Sequence, residues 1–149
     1  MSNSYSGPNF LAIVLLFLLL LLIIPVCTAT VFLKDGTDIS TTNLLETIKN
    51  DIKTESDYPF PIVFFYTTSC GSCSAAYQYL KSYERKNSGI QIEYLNIAHN
   101  SKNKQLFTKL KNDFQKQKIS YPAVFIGNIG ITGSSDIIHH TDIIVKAYQ

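Results

Sequence analysis

The chain has no tryptophan, one methionine and one arginine, Arg85, and its first 33 residues carry no charged side chain. A single arginine leaves no guanidinium patch, and 13 basic against 11 acidic residues give a formal charge of only +2. Both observations argue against nucleic acid as a partner. The lysines between Lys102 and Lys118 form a diluted series with Asp113 inside it, which reads as a solvated helix face. With no Lys or Arg before Lys34, and Asp35 beside that one, a rule based on flanking positive charge has nothing to orient. Cysteine is scarce as well: Cys27, Cys70 and Cys73 are the whole set, and His99, His139 and His140 lie far from the pair. A structural zinc site takes four N or S ligands, so the pair lacks visible co-ligands for one.

What is abundant is apolar and sits at the start. Phe10 to Ile24 contains no polar residue, and Pro25, Val26, Cys27, Thr28 and Ala29 follow. The run is long for a signal-peptide core and short of the about 20 residues of a membrane span, unless it continues to Cys27. Residues 1–29 therefore read as a signal peptide cleaved after Ala29, with small residues at the −1 and −3 positions, or as an uncleaved anchor through residues 10–27. Pro25 and Val26 are poor neighbours for a lipid-anchored Cys27. Residues 30–149 hold every charged side chain and suffice for one domain with its own core.

Along that domain, Val31–Leu33 reads as a strand closed by the turn Lys34-Asp35-Gly36. Thr41 or Thr42 caps a helix running to about Ser56, with Leu44, Leu45, Ile48 and Ile52 as its apolar set. Tyr58-Pro59-Phe60-Pro61 breaks the chain. Ile62–Tyr66 is apolar without alternation, as in a strand covered on both faces. A helix from Gly71 to about Lys86, ended by Gly89, carries an inner stripe of Cys73, Ala76, Tyr77, Leu80 and Tyr83 or Glu84. Ile90–Ile97 is the next strand, and Asn100 or Ser101 opens a helix to Lys116 with Leu106, Phe107, Leu110 and Phe114 on one face. Tyr121–Ile126 is a strand with proline second, Gly127-Asn128 turns it into a hairpin with Ile129–Ile131, and a last helix follows Gly133. The order β-α-β-α-β-α-β-β-α predicts an α/β sandwich with a mixed central sheet.

Cys70-Gly71-Ser72-Cys73 sits where the apolar strand gives way to a helix. Two cysteines three apart in that place form a dithiol able to close, with the first sulfur over unpaired N–H groups of the helix start. The residues alone leave redox chemistry, a structural disulfide and a metal site as readings. Under the first, Cys70 is the nucleophile and Cys73, one turn in and covered, resolves the mixed disulfide. Ser69 and Ser72 are within reach of the sulfurs as donors.

The strand, the dithiol, the helix and a later strand opening with Tyr121-Pro122 resemble the thioredoxin fold family over about residues 30–149. That resemblance implies a three-layer thioredoxin-like sandwich, a cis bond before Pro122 beside the dithiol, and a Tyr121 backbone free to pair with a substrate chain. The departures are Ser69 for the family's tryptophan, Gly71-Ser72 for Gly-Pro, Phe64 for a buried acid and Tyr94 for a buried lysine. With those gone, deprotonation of Cys73 falls to substrate, to water, or to Glu93 where that side chain points inward. Pro122–Gly127 with Ile131, Gly133 and Asp136-Ile137 is similar to glutaredoxin, in which a glycine–aspartate corner holds glutathione; Thr132 replaces one glycine of the pair. Asp136 also reads simply as a favourable acid at a helix start, and His139 and His140 as surface residues.

The function expected is thiol–disulfide exchange on protein thiols and disulfides, outside the cytoplasm and either tethered or secreted, with a membrane or thioredoxin-type electron donor or acceptor. No cofactor or metal is expected. The alternatives are a non-catalytic thioredoxin-like binding module with a fixed disulfide and a tyrosine-bearing surface, and a glutaredoxin-like protein. A domain on the cytoplasmic face is the third placement, because the flanking charges give no direction.

Overall fold

The computed structural model describes residues 30–40, 42, 44–52 and 61–149. The apolar segment, its cleavage site and the Tyr58–Phe60 break lie outside them. Among the described residues no helix is long and apolar enough to cross a membrane.

The described chain forms β1 (Thr30–Leu33), β2 (Asp38–Ile39), α1 (Leu44–Ile52), β3 (Ile62–Tyr66), α2 (Gly71–Lys86), β4 (Ile92–Asn96), α3 (Ser101–Asp113), β5 (Ala123–Ile126), β6 (Ile129–Thr132) and α4 (Ser134–Tyr148). The six strands make one mixed sheet in the order β2-β1-β6-β5-β3-β4. Only β3 and β4 are parallel, and a parallel pair needs a crossover, which α2 supplies. The other pairs are antiparallel hairpins or returns. Gly127 turns β5 into β6 with φ of 55°, a backbone state that suits glycine.

The sheet separates two cores. One packs Phe64, Val124 and Ile131 of the sheet against Leu44 and Ile48 of α1, Ala76 and Leu80 of α2, and Ile137 and Ile144 of α4. The other is largely aromatic: Phe32, Phe65 and Phe125 lie under Phe107 of α3 and Phe114, with Phe65–Phe107 centroids 4.8 Å apart and Phe114–Phe125 4.9 Å. The result is three layers, with three helices on one face and α3 on the other. Burial on both faces is why Ile62–Tyr66 shows no polar alternation.

Several expectations need correction. The strand β2 was not anticipated; the Lys34–Gly36 turn opens a hairpin, in which the Thr37 N–H donates to the Asp35 carboxylate at 2.9 Å. Leu45 is exposed, because it stands about 100° around the helix from Leu44, and Leu44 and Ile48 already hold the inner stripe. The helix α2 is capped by Asn87 and not by Gly89, with the Asn87 backbone N–H donating to the carbonyls of Tyr83 and Glu84. Tyr77 and Glu84 stay half-exposed where Tyr83 is buried. The helix α3 stops at Asp113, capped by Phe114, and Gln115 then takes a φ of 48°. Pro122 lies one residue ahead of its strand.

Candidate dithiol site

The site is built at the end of β3. After Tyr66 the chain turns, with the Cys70 N–H donating to the Thr67 carbonyl at 3.3 Å, and α2 begins at Gly71. Cys70 is the N-cap of that helix: its sulfur receives the Cys73 N–H at 3.2 Å, as a capping oxygen would. The Ser72 hydroxyl is 3.3 Å from the same sulfur, whereas Ser69 turns away to Thr67 at 3.4 Å. Cys70 and Cys73 are joined as a disulfide, with Cα atoms 5.3 Å apart. Cys70 is half-buried and Cys73 is only 2 % exposed.

The sheet register brings the other expected residues to the same end. Phe65 stands opposite Ala123, so the Tyr121-Pro122 pair falls level with Tyr66 and Thr67. Its peptide bond is cis, and the Pro122 carbonyl accepts the Gly133 N–H at 2.9 Å, tying this loop to the start of α4. Pro122 is buried, while Tyr121 is 44 % exposed with its ring 5.6 Å from that of Phe107. Two depressions share Thr67, and the disulfide borders the first of them. One, of about 300 Å³, is bordered by Tyr66, Cys70, Cys73, Ser74 and Tyr77. The other, of about 380 Å³, is bordered by Lys104, Phe107, Lys111 and Tyr121.

Phe64 and Tyr94 stand opposite each other in the β3–β4 register, within a cluster of rings. Phe64 is fully buried and stacks on Tyr66 at 5.4 Å. Tyr94 donates its hydroxyl to the Glu84 carboxylate at 3.3 Å, and that carboxylate also accepts the Ile92 N–H at 2.9 Å. Lys81 completes this cluster, with its ammonium 3.5 Å from Glu84 and 3.7 Å from the Tyr94 ring centroid. Burial, then the charge and hydrogen bond of Glu84, push the Tyr94 phenol well above its ordinary value. Glu93 is exposed and does not turn toward Cys73.

Away from the disulfide, Asp136 lies in the first turn of α4, with a carboxylate oxygen 3.9 Å from the His140 Nε2. His139 is at the surface as expected, but His140 is half-buried, and its Nδ1 and the Ser134 hydroxyl have no hydrogen-bond partner among the described residues. Thr132 is buried, 3.2 Å from the Thr30 hydroxyl. No group of three or more His, Cys, Asp or Glu able to hold a metal occurs among the described residues.

Two features escaped the sequence: the Tyr94–Glu84 pair, and the place of Lys104 and Lys111 in a depression that shares Thr67 with the disulfide groove. The second had a signal, since residues seven apart share a helix face. Comparison with protein-family models, with curated proteins and with solved structures finds no match.

Proposed function

We propose that this protein is a thioredoxin-like thiol–disulfide oxidoreductase that acts on protein substrates through Cys70 and Cys73. The observation that carries the reading is the asymmetry of the pair: a half-exposed Cys70 sulfur holding the Cys73 N–H at 3.2 Å, above a Cys73 that is 2 % exposed. An N–H aimed at a sulfur stabilises it as a thiolate, the form that attacks or leaves in exchange. The reduced Cys70 thiolate attacks a substrate disulfide, one substrate thiolate leaves, and a Cys70–substrate disulfide forms. The Cys73 thiolate then attacks the Cys70 sulfur, closing the protein disulfide and releasing the second substrate thiolate. Two electrons pass from the protein dithiol to the substrate, and in the oxidising direction the same steps run backwards.

Tyr121 and Pro122 are substrate-positioning residues in this reading, because an exposed Tyr121 level with Thr67 lies where a substrate chain could pair strand-like with its backbone. The apolar N-terminal run and the persistence of disulfides outside the cytoplasm support an extracytoplasmic site of action, tethered or secreted. The electron donor or acceptor is then a membrane or thioredoxin-type dithiol protein. Insulin reduction by the full chain, alongside Cys70→Ser, tests the chemistry: thiol release by the parent protein and none by the variant is expected. No turnover by the parent with a small dithiol or a membrane donor overturns the proposal. Cysteine labelling in intact cells tests the placement, and labelling only after the cytoplasm is opened would reverse it.

A second reading draws on Phe64 and Tyr94. With a buried ring and a bound phenol in those places, a binding module with a fixed disulfide is the competing function. A reduction potential below about −300 mV with sluggish exchange selects the fixed bond, and a higher potential with fast exchange selects catalysis.

A further inference from the structure

We infer that the depression bordered by Lys104, Lys111 and Tyr121 receives an acidic side chain of the protein whose disulfide is exchanged at Cys70; the inference rests on the redox reading and names its substrate class. The two lysines are seven residues apart on α3, two turns, so both project from one side about 10 Å apart along the axis. Neither makes an ion pair among the described residues. Lys81, Lys109, Lys116 and Lys146 each have a carboxylate partner, and Lys109, on the same helix, has Asp113. No carboxylate borders either depression beside the disulfide. The site is therefore uneven in charge: hydroxyls and tyrosine rings on the α2 side, two uncompensated ammonium groups on the α3 side.

The position joins this charge to the chemistry. The cationic depression and the Cys70–Cys73 groove share Thr67, and Tyr121, ahead of the buried Pro122, lines the cationic one. A substrate chain running past Tyr121 with its sulfur at Cys70 carries its neighbouring side chains over Lys104 and Lys111. The Lys111 ammonium lies 5.8 Å from the Phe107 ring centroid, within the outer reach of a cation–π contact. An Asp or Glu within a few residues of the substrate cysteine is the complement, and charge complementarity of this kind acts chiefly on encounter and selection among partners.

The test is single-turnover exchange between the full chain, purified in detergent and reduced with dithiothreitol that is then removed, and three disulfide-linked peptides. The peptides are identical except for paired Glu, Gln or Lys beside the cysteine. In each reaction the Cys70–Cys73 disulfide forms and two peptide thiols are released. The expected order is Glu over Gln over Lys, with about three- to tenfold between the first two at low salt, shrinking as salt screens the charges. Lys104→Glu with Lys111→Glu should reverse the order, and Lys104→Gln with Lys111→Gln should remove it, should the reversed pair not fold. Equal rates for the three peptides, or an order unchanged in a folded double variant, overturn the inference while leaving the redox reading intact. Exchange with none of the three removes the redox reading, and the inference with it.

Discussion

The backbone N–H of Cys73 points at the sulfur of Cys70 from 3.2 Å, while the sulfur of Cys73 is itself almost completely covered. In the reduced protein that N–H faces a free sulfur, and a hydrogen bond to a charged group contributes about 1.5–3 kcal/mol. At neutral pH an alkylating reagent should therefore modify Cys70 first, by about tenfold or more, as 1.4 kcal/mol is a factor of ten. Cys73→Ser should trap a mixed disulfide with substrate, and Cys70→Ser should not. Peptide mapping after brief alkylation reads the first outcome, and equal labelling of both thiols would sink the mechanism.

Three tyrosines give the fold an alkaline limit. Tyr66, Tyr79 and Tyr94 all ionise above the ordinary 10.0, each chiefly because burial disfavours the phenolate. Nearby acids add to this, Asp142 at Tyr79 and Glu84 at Tyr94. A group whose folded value is raised keeps its proton longer when folded, so its contribution is complete below pH 10 and is lost as pH rises through the folded value. Urea midpoints should thus hold level up to about pH 10 and fall beyond it. Glu84→Gln should move the Tyr94 ionisation down in an ultraviolet difference titration. A titration unaffected by that change would separate Glu84 from the shift.

How much of this was legible in the sequence follows from which spacings are local. The bounds of α2 were readable because a capping residue, an apolar stripe and a basic last turn all lie within one stretch, Cys70 to Lys86. The site cysteines were readable for the same reason. Strand β2, two residues long, has no periodicity to detect, and it exists because Asp38 and Ile39 meet Phe32 and Val31 across a turn. Leu44 and Leu45 are equally apolar, and only the position of the sheet decides which is buried. The Tyr94–Glu84 bond spans a helix end, a turn and a strand, so no repeat in the sequence announces it. Lys104 and Lys111 share a face by spacing alone, but that this face lines a depression reaching Thr67 depends on how α3 lies across the sheet.

Gly130 is set by a neighbour rather than by its own turn. It stands opposite Phe32 in the β1–β6 register, and a Cβ at this position would run into the Phe32 ring. The ring is fully buried and edge-on to Phe114 and Phe125, so it has no free space to move into. Gly130→Ala should destabilise by about 1–3 kcal/mol through overpacking. Phe32→Leu in the same chain should cost less than the two single changes added together, because the smaller side chain makes room for the methyl. Strict additivity in urea unfolding, followed by tyrosine fluorescence in this tryptophan-free chain, would contradict the close-approach account.

Phe64 tests how far this buried cluster of rings resists a charge. The side chain has no exposed surface and lies among Tyr66, Tyr77 and Tyr94, at 5.4, 6.3 and 6.0 Å between centroids. Phe64→Ala should cost about 3–5 kcal/mol for the lost contacts and the cavity, equally at pH 4 and pH 7. Phe64→Asp removes the same contacts and puts a carboxyl in a fully buried place among rings, so burial raises its folded value above the unfolded one. The penalty is then smallest at low pH, where the carboxyl is protonated in both states. It grows as pH rises past about 4, where the unfolded chain ionises and the folded chain resists. Urea midpoints for the two variants should therefore be close at pH 4 and far apart at pH 7, with the aspartate lower. If they track each other at both pH values, the carboxyl has found water or a partner, and the place of the Phe64 ring is open enough to hold a charge.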